Sequence, residues 1–419
     1  MIGVVGDMAT TSELDDLAVD AATDVSSPPD LNDARPLPSL PLHTNGRWIE
    51  DAHGKRFKMV SVNWYGAEEA DYVVAGLDRQ PLTAVAKRIA EYGFNSVRLP
   101  WSNEMVEKNP IVADAGLAAN PGLRGRHALE VLDAVIAALA HEGMVVILDN
   151  HVSTASWCCS NTDANTLWHN SAYPESSWLA DWKTITERYL NQPAVVAADL
   201  RNELRGNVTW GSGDAATDWR LAAKKGGDAV LSVNPNLLIV VEGLGYSLDF
   251  TAVSSTFTAA PQTDKAQTFF SVANRLVWSP HDYGFDHNGI VSYDGAQPAL
   301  KTQLGNKWGY LLVQSQPYTA PVWVGEFGTC NTDAKCIDST NPADAGFWFA
   351  GLRRYLRDAD IDWCYWPWNG TAANGGIGSG RTIHTVETYG VLNPTWTGPS
   401  LPALLLGLQA IQPATQGPL

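Results

Sequence analysis

The chain has 419 residues, 45% of them apolar, enough to bury one large core of the kind that α/β barrels with inserted loops form as a single domain. Its formal net charge of −17 argues against nucleic acid or an anionic membrane as partner and leaves a neutral ligand as the better fit. No stretch approaches the roughly 18 apolar residues that a membrane-spanning helix requires, so no membrane insertion is expected.

Residues 1–42 are acidic and then Pro/Ser-rich through Ser26-Ser27-Pro28-Pro29 and Pro36-Leu37-Pro38, which reads as a poorly ordered leader or linker. They carry no basic start followed by a continuous apolar run, so no secretory signal is recognisable. Residues 43–419 are expected to form the folded domain. It opens with a hairpin made of Arg47-Trp48-Ile49-Glu50, a turn at Asp51-Ala52-His53-Gly54, and Arg56-Phe57-Lys58, placed as a plug over the lower end of a barrel.

Beyond the hairpin, apolar strand-like runs alternate with amphipathic helical ones. Strands are expected at 58–63, 96–100, 145–150, 195–202, 237–242, 276–281, 322–326 and 363–366. Helices are expected at 82–92, 127–142, 176–189, 217–233, near 250–256, 299–313, 343–358 and near 401–411. The alternation predicts a closed (β/α)8 barrel, a TIM barrel, whose active site is built by the loops after the strands. An open doubly wound sheet is the alternative, but no glycine-rich phosphate-binding turn follows the first strand. The loops 153–174, 284–298 and 369–394 are long and would wall a cleft, carrying Trp157 and Trp168, then Phe285, His287 and Tyr293, then a Gly-rich stretch.

Two strands share one grammar. Val195-Val196-Ala197-Ala198-Asp199-Leu200-Arg201-Asn202-Glu203 and Val322-Trp323-Val324-Gly325-Glu326 are apolar runs that end in a carboxylate, which places a pair of carboxyl groups on one rim. Other strand ends add Arg98, His151, His281, Tyr283 and Trp366. Two carboxyls facing one site are candidates for acid–base or nucleophilic work. The 17 tryptophans, if only a minority fill the core, would offer flat apolar faces to sugar rings. Of five cysteines, Cys330 and Cys336 are spaced for a small disulfide-closed loop. Cys158 and Cys159 either bridge each other or take separate partners, and Cys364 reads as a buried thiol. No CxxC pair with matching His spacing is present, so no metal site is expected.

The segments Ser96-Val97-Arg98-Leu99-Pro100, Asp149-Asn150-His151, Asp199-Leu200-Arg201-Asn202-Glu203, His281-Asp282-Tyr283 and Val324-Gly325-Glu326-Phe327-Gly328 resemble those of glycoside hydrolase family 5. Within that family, Asn63-Trp64-Tyr65-Gly66 and Trp219-Arg220-Leu221-Ala222-Ala223 resemble the secreted bacterial endo-β-1,4-glucanases. The resemblance runs from about Asn45 to Trp396. It implies a retaining (β/α)8 glycosidase with Glu203 as acid/base and Glu326 as nucleophile. Arg98 and Tyr283 would hold Glu326, Asn202 would bind the sugar 2-hydroxyl, His151 and His281 would support hydroxyls or carboxylates, and Trp366, with Trp64, would contact the sugar.

The expected partner is a β-linked oligo- or polysaccharide, the expected state a monomer without cofactor, and the expected location extracellular or periplasmic. Mannanase, exo-acting β-glucosidase or diglycosidase, and glycosylceramide-type activities are alternatives within the same chemistry. A non-catalytic carbohydrate-binding barrel is the alternative outside it, and it would be expected to lack one of the two Glu.

Overall fold

The apolar runs become strands because both of their faces are covered, one by packing inside a barrel and one by helices. The structure, a computed structural model, describes residues 34–259, 265–287, 299–376 and 379–414. A short antiparallel pair comes first, β1 (His43–Asn45) and β2 (Trp48–Glu50). Eight parallel strands follow: β3 (Val60–Asn63), β4 (Ser96–Ser102), β5 (Val145–Val152), β6 (Val195–Asp199), β7 (Leu238–Glu242), β8 (Leu276–Ser279), β9 (Trp323–Phe327) and β10 (Asp362–Tyr365). Their order is β8-β7-β6-β5-β4-β3-β10-β9, and parallel bridges Trp278 to Val322 and His281 to Glu326 join the two ends into a barrel.

The surrounding helices are α1 (Leu82–Glu91), α2 (Asn103–Lys108), α3 (Ala128–His141), α4 (Glu175–Arg188), α5 (Trp219–Val233), α6 (Val253–Ala259), α7 (Leu300–Lys307), α8 (Ala345–Asp358) and α9 (Pro402–Gln409). In α3 the buried residues Leu129, Leu132, Val135, Ile136 and Leu139 recur at helical spacing and face the barrel. The helix starts where the Glu130 carboxylate accepts the His127 N–H, and it stops at Gly143, whose φ of +73° ends the helical path. Helix α5 begins at Asp218, whose side chain accepts the Arg220 N–H. Its Gly226 and Gly227 let Trp178 and Phe270 press against the helix backbone, where any Cβ would collide with the two rings.

Inside the barrel's lower half lie Val145, Ile147, Val196, Leu238, Val240, Val277, Trp323 and the free thiol of Cys364. Leu42, Ile49 and Met59 close this cluster from below, with Leu37, Leu40 and Phe57 packed against it. The plug is therefore built from the hairpin and from residues 37–42 of the segment read as a leader; residues 1–33 lie outside the described residues. The expected hairpin is present as one antiparallel bridge, Glu50 to Arg56, with the Phe57 N–H donating to the Ile49 carbonyl (2.9 Å) and the Asp51 N–H to the Lys55 carbonyl (2.8 Å), and β2 also pairs with β1, which the sequence reading did not include.

The tryptophans correct the sequence reading. Twelve of the 17 are less than 2% exposed: Trp323 lies inside the barrel, and the other eleven belong to the main core, with edge contacts such as Trp101 to Trp182 at 5.0 Å. Cys330 and Cys336 are disulfide-bonded, and Cys158 is bonded to Cys159.

Candidate active site

Glu326 is the fourth residue of β9, at the rim where all eight barrel strands end. Glu203 follows the end of β6 by four residues. Between them the chain is fixed by Leu200, whose carbonyl accepts the indole N–H of Trp178 (3.1 Å) and of Trp182 (3.2 Å). Glu203 itself has φ +46°, a left-handed conformation rarely adopted by residues with a side chain. Its backbone N–H donates to the Glu242 carboxylate at 2.7 Å. Oxygens of Glu203 and Glu326 lie within 4.8 Å of each other. His281 reaches both: Nδ1 is 3.1 Å from Glu203 Oε1 and 3.7 Å from Glu326 Oε2.

Beneath the pair, Arg98 of β4 is fully buried and spends its whole fork on the site. Nη1 donates to Glu326 Oε1 (2.8 Å) and Asn63 Oδ1 (3.0 Å); Nη2 donates to Asn202 Oδ1 (2.9 Å) and Glu242 Oε1 (3.0 Å); Nε donates to Asp199 Oδ2 (2.9 Å). Asp149 completes the ring of anions, 3.1 Å from Nη2. Burial opposes the Arg98 charge, but Asp149, Asp199, Glu326 and Glu242 outweigh it and hold the guanidinium protonated. The second oxygen of Glu326 accepts the Tyr283 hydroxyl at 3.0 Å. Burial likewise disfavours a charged His281, yet Glu242 and Glu326 outweigh burial and raise its pKa well above the ordinary value. His151 goes the other way: burial and the Arg98 charge push its pKa well below the usual value, so it is neutral, with Nδ1 2.6 Å from Asp149 Oδ2.

Above these groups opens a cleft of about 420 Å³, within the ~300–1,000 Å³ typical of ligand pockets, lined by His151, Trp157, Cys158, Cys159, Asn202, Glu203, Tyr246, Tyr283, Phe285, Asp286, Glu326 and Trp366. The Trp366 ring lies nearly parallel to Tyr65 (centroids 5.1 Å apart) and to His151 (5.6 Å). With Oδ1 of Asn202 occupied by Arg98, its Nδ2 is turned toward the sulfurs of Cys158 and Cys159 at 3.5 and 3.6 Å. Tyr293 lies outside the described residues.

The structure thus brings together Glu203, Glu326, Arg98, His151, Asn202, His281, Tyr283 and Trp366. Trp64 is a correction: it is fully buried in the main core, its indole N–H donating to the Ala75 carbonyl at 2.9 Å, and it does not line the cleft. Sequence reasoning passed over Asp149, Asp199, Glu242, Asn63 and Tyr65. Glu242 was the most findable, since it ends its strand as Glu326 nearly does.

The buried acids have a thermodynamic consequence. Burial, only partly offset by Arg98 or His281, raises Asp149 to about 6 and both Asp199 and Glu242 to about 7. Burial raises Glu68, in the loop after β3, to about 8. Each folded value exceeds the unfolded one, so the folded state binds more protons between about pH 4.5 and 8, and stability falls as pH rises through that window. The raised His281 acts with the same sign and the lowered His151 against it. The melting temperature is therefore expected to be higher near about pH 5.5 than near about pH 8.5. A calorimetric melt that rises over this interval would contradict the burial of these groups as acids.

Comparison with known proteins follows the same lines. The family described as Cellulase (glycosyl hydrolase family 5) matches residues 50–372. An endoglucanase of Paenibacillus polymyxa is 35% identical over 341 residues, 80% of this chain and 81% of that protein. The major extracellular endoglucanase of Xanthomonas campestris pv. campestris is 32% identical over 84% of this chain and 67% of its own. The solved catalytic domain of the major endoglucanase from Xanthomonas campestris pv. campestris superposes with a TM-score of 0.69 at 29% identity, covering 88% of this chain and 99% of that one. A family match across most of the barrel, with a shared fold and two carboxyls at the strand ends, shows that the chain belongs to glycosyl hydrolase family 5, the cellulase family.

Proposed function

We propose that the protein is a retaining endo-β-1,4-glucanase in which Glu326 is the nucleophile and Glu203 the acid/base. The observation that carries this reading is the approach of the two carboxyl groups to within 4.8 Å. Retaining glycosidases place theirs about 5–5.5 Å apart, whereas inverting ones leave about 6.5–9.5 Å for a water molecule. An ionised Glu326 attacks the anomeric carbon while Glu203 transfers its proton to the glycosidic oxygen, whose bond to that carbon breaks. Water then enters on the leaving-group side and gives a proton to Glu203 as its oxygen attacks the same carbon, releasing Glu326. Arg98 and Tyr283 each donate a hydrogen bond to one oxygen of Glu326, which fixes the carboxylate in place and aims it.

In this scheme the Nδ2 of Asn202 exchanges its weak contacts to the Cys158 and Cys159 sulfurs for the sugar 2-hydroxyl, Trp366 is the floor of the reactive subsite, and His151 presents a neutral edge beside it. Trp157, Tyr246 and Phe285, on other walls of the cleft, would hold neighbouring sugars of a longer chain. The two bacterial endoglucanases above share most of this barrel, which favours β-1,4-glucan. One is named extracellular, and the Cys330–Cys336 bridge suits an oxidising compartment, so we place the enzyme outside the cytoplasm. Residues 43–419 form the catalytic unit and residues 1–42 a leader whose last part seals the barrel.

On a soluble β-1,4-glucan, viscosity is expected to collapse while few reducing ends have appeared, and mannan and xylan are expected to be poorer substrates. Release of glucose or cellobiose from chain ends at constant viscosity would overturn the endo assignment. Faster turnover of mannan would overturn the substrate.

A further inference from the structure

Glu242 has no place in the scheme above, yet it is fully buried at the end of β7 and meets Arg98, the Glu203 main chain and His281. Its Oε2 accepts the backbone N–H of Glu203 (2.7 Å), the residue whose φ is +46°. Its Oε1 accepts Arg98 Nη2 (3.0 Å) and lies 3.3 Å from His281 Nε2, the far nitrogen of the ring whose Nδ1 reaches Glu203 Oε1. Glu242 is absent from the cleft wall, so it does not meet substrate.

We infer that Glu242 is a positioning residue for acid/base catalysis, fixing the Glu203 main chain with one oxygen and the His281 imidazole beside the Glu203 side chain with the other. This rests on the reading of Glu203 as acid/base. A residue after the end of a strand, in a left-handed conformation, keeps it only if its surroundings hold it there. The N–H of Glu203 has Glu242 as its acceptor, and without it the donor would be buried and unpaired or the backbone would relax, swinging the carboxyl away from the leaving oxygen. The second oxygen acts on charge. When Glu203 gives up its proton it becomes a carboxylate, and an imidazolium at His281, held against Glu242, donates a hydrogen bond to that new anion. The other ionisable groups facing Glu242 and His281 are Arg98, Asp149, Asp199, Arg201, His151 and Glu326.

The test uses the full chain and a series of aryl β-cellobiosides whose phenols range from strongly to weakly acidic. Good leaving groups need no proton and poor ones do, so misplacing the acid penalises only the poor ones. Glu242→Gln keeps an acceptor for the Glu203 N–H but sets an amide against Arg98 and His281. Glu242→Asp keeps the charge beside Arg98 but withdraws it from the Glu203 N–H by one methylene, and it decides the matter if the Gln variant does not fold by circular dichroism. Either folded variant is expected to lose about 10²-fold in kcat/KM on the poorest leaving group and less than about 5-fold on the best, a selective part of the ~10²–10⁴-fold that general acid catalysis supplies. A loss that is uniform across the series, or no loss, overturns the inference, since a purely structural defect does not sort substrates by leaving group. Glu203→Ala is run alongside. If it too shows no leaving-group dependence, the acid/base assignment itself fails; if it is steep while the Glu242 variants are flat, only the inference fails.

Discussion

Glu326→Ala is expected to lower kcat on an aryl β-cellobioside on the order of 10⁶-fold, the scale seen when the nucleophile of another covalent mechanism is removed. The fold should survive, because Arg98 keeps Asn63, Asn202, Asp199 and Glu242 as acceptors when Glu326 is gone. The space vacated beside the anomeric carbon would admit a small anion, so added azide is expected to restore part of the rate. Stereochemistry makes the result decisive. With azide replacing the Glu326 carboxylate, one displacement occurs and the product is the α-glycosyl azide. Azide acting in place of activated water in a Glu203→Ala enzyme follows two displacements and gives the β-glycosyl azide. Chromatography and proton coupling constants separate the two anomers, and a β product from the Glu326 variant would reverse the assignments.

Arg98→Met is expected to cost both activity and the fold. The substitution keeps an apolar stem of similar length but strands Asp149, Asp199, Glu242 and Glu326 around an uncharged centre. Removing one partner of a buried ion pair typically costs about 3–5 kcal/mol, because the remaining charge is left desolvated. The carboxyls can escape by taking up protons, so the loss should be smaller in mild acid than in mild alkali. Arg98→Lys keeps a charge but offers a point donor in place of a fork with donors to five acceptors, and it should fall between the two. Urea denaturation at two pH values reads the effect, and an Arg98→Met midpoint equal to that of the parent would remove Arg98 from the centre of this scheme.

Much of the barrel was legible because its strands are buried on both faces and therefore appear as uninterrupted apolar runs, such as Val145-Val146-Ile147-Leu148, bounded by helical periodicity. Short elements were not. Helix α2 leaves β4 directly at Ser102, whose side chain caps it by accepting the Met105 N–H, and six residues carry too little periodicity to be seen. Strand β1 was missed for the same reason, since three residues carry no alternation long enough to register. The same limit applies at the site. Strand ends can be read locally, whereas Asp149 and Asp199 matter because one guanidinium on β4 meets side chains from the next two strands, β5 and β6. Trp64 was misplaced because neighbours on a strand point to opposite sides: Asn63 turns inward to Arg98, so the next ring turns outward into the core.

The lavish use of indole in the packing has an optical corollary. With most of these rings sealed from water, intrinsic emission should be dominated by shielded chromophores at the short-wavelength end of the tryptophan range. Only Trp157 and Trp366 border the cleft. A saccharide could therefore saturate the enzyme while barely changing the total signal, and a reporter such as fluorinated tryptophan, resolved ring by ring in a magnetic field, would register occupancy that a fluorimeter averages away.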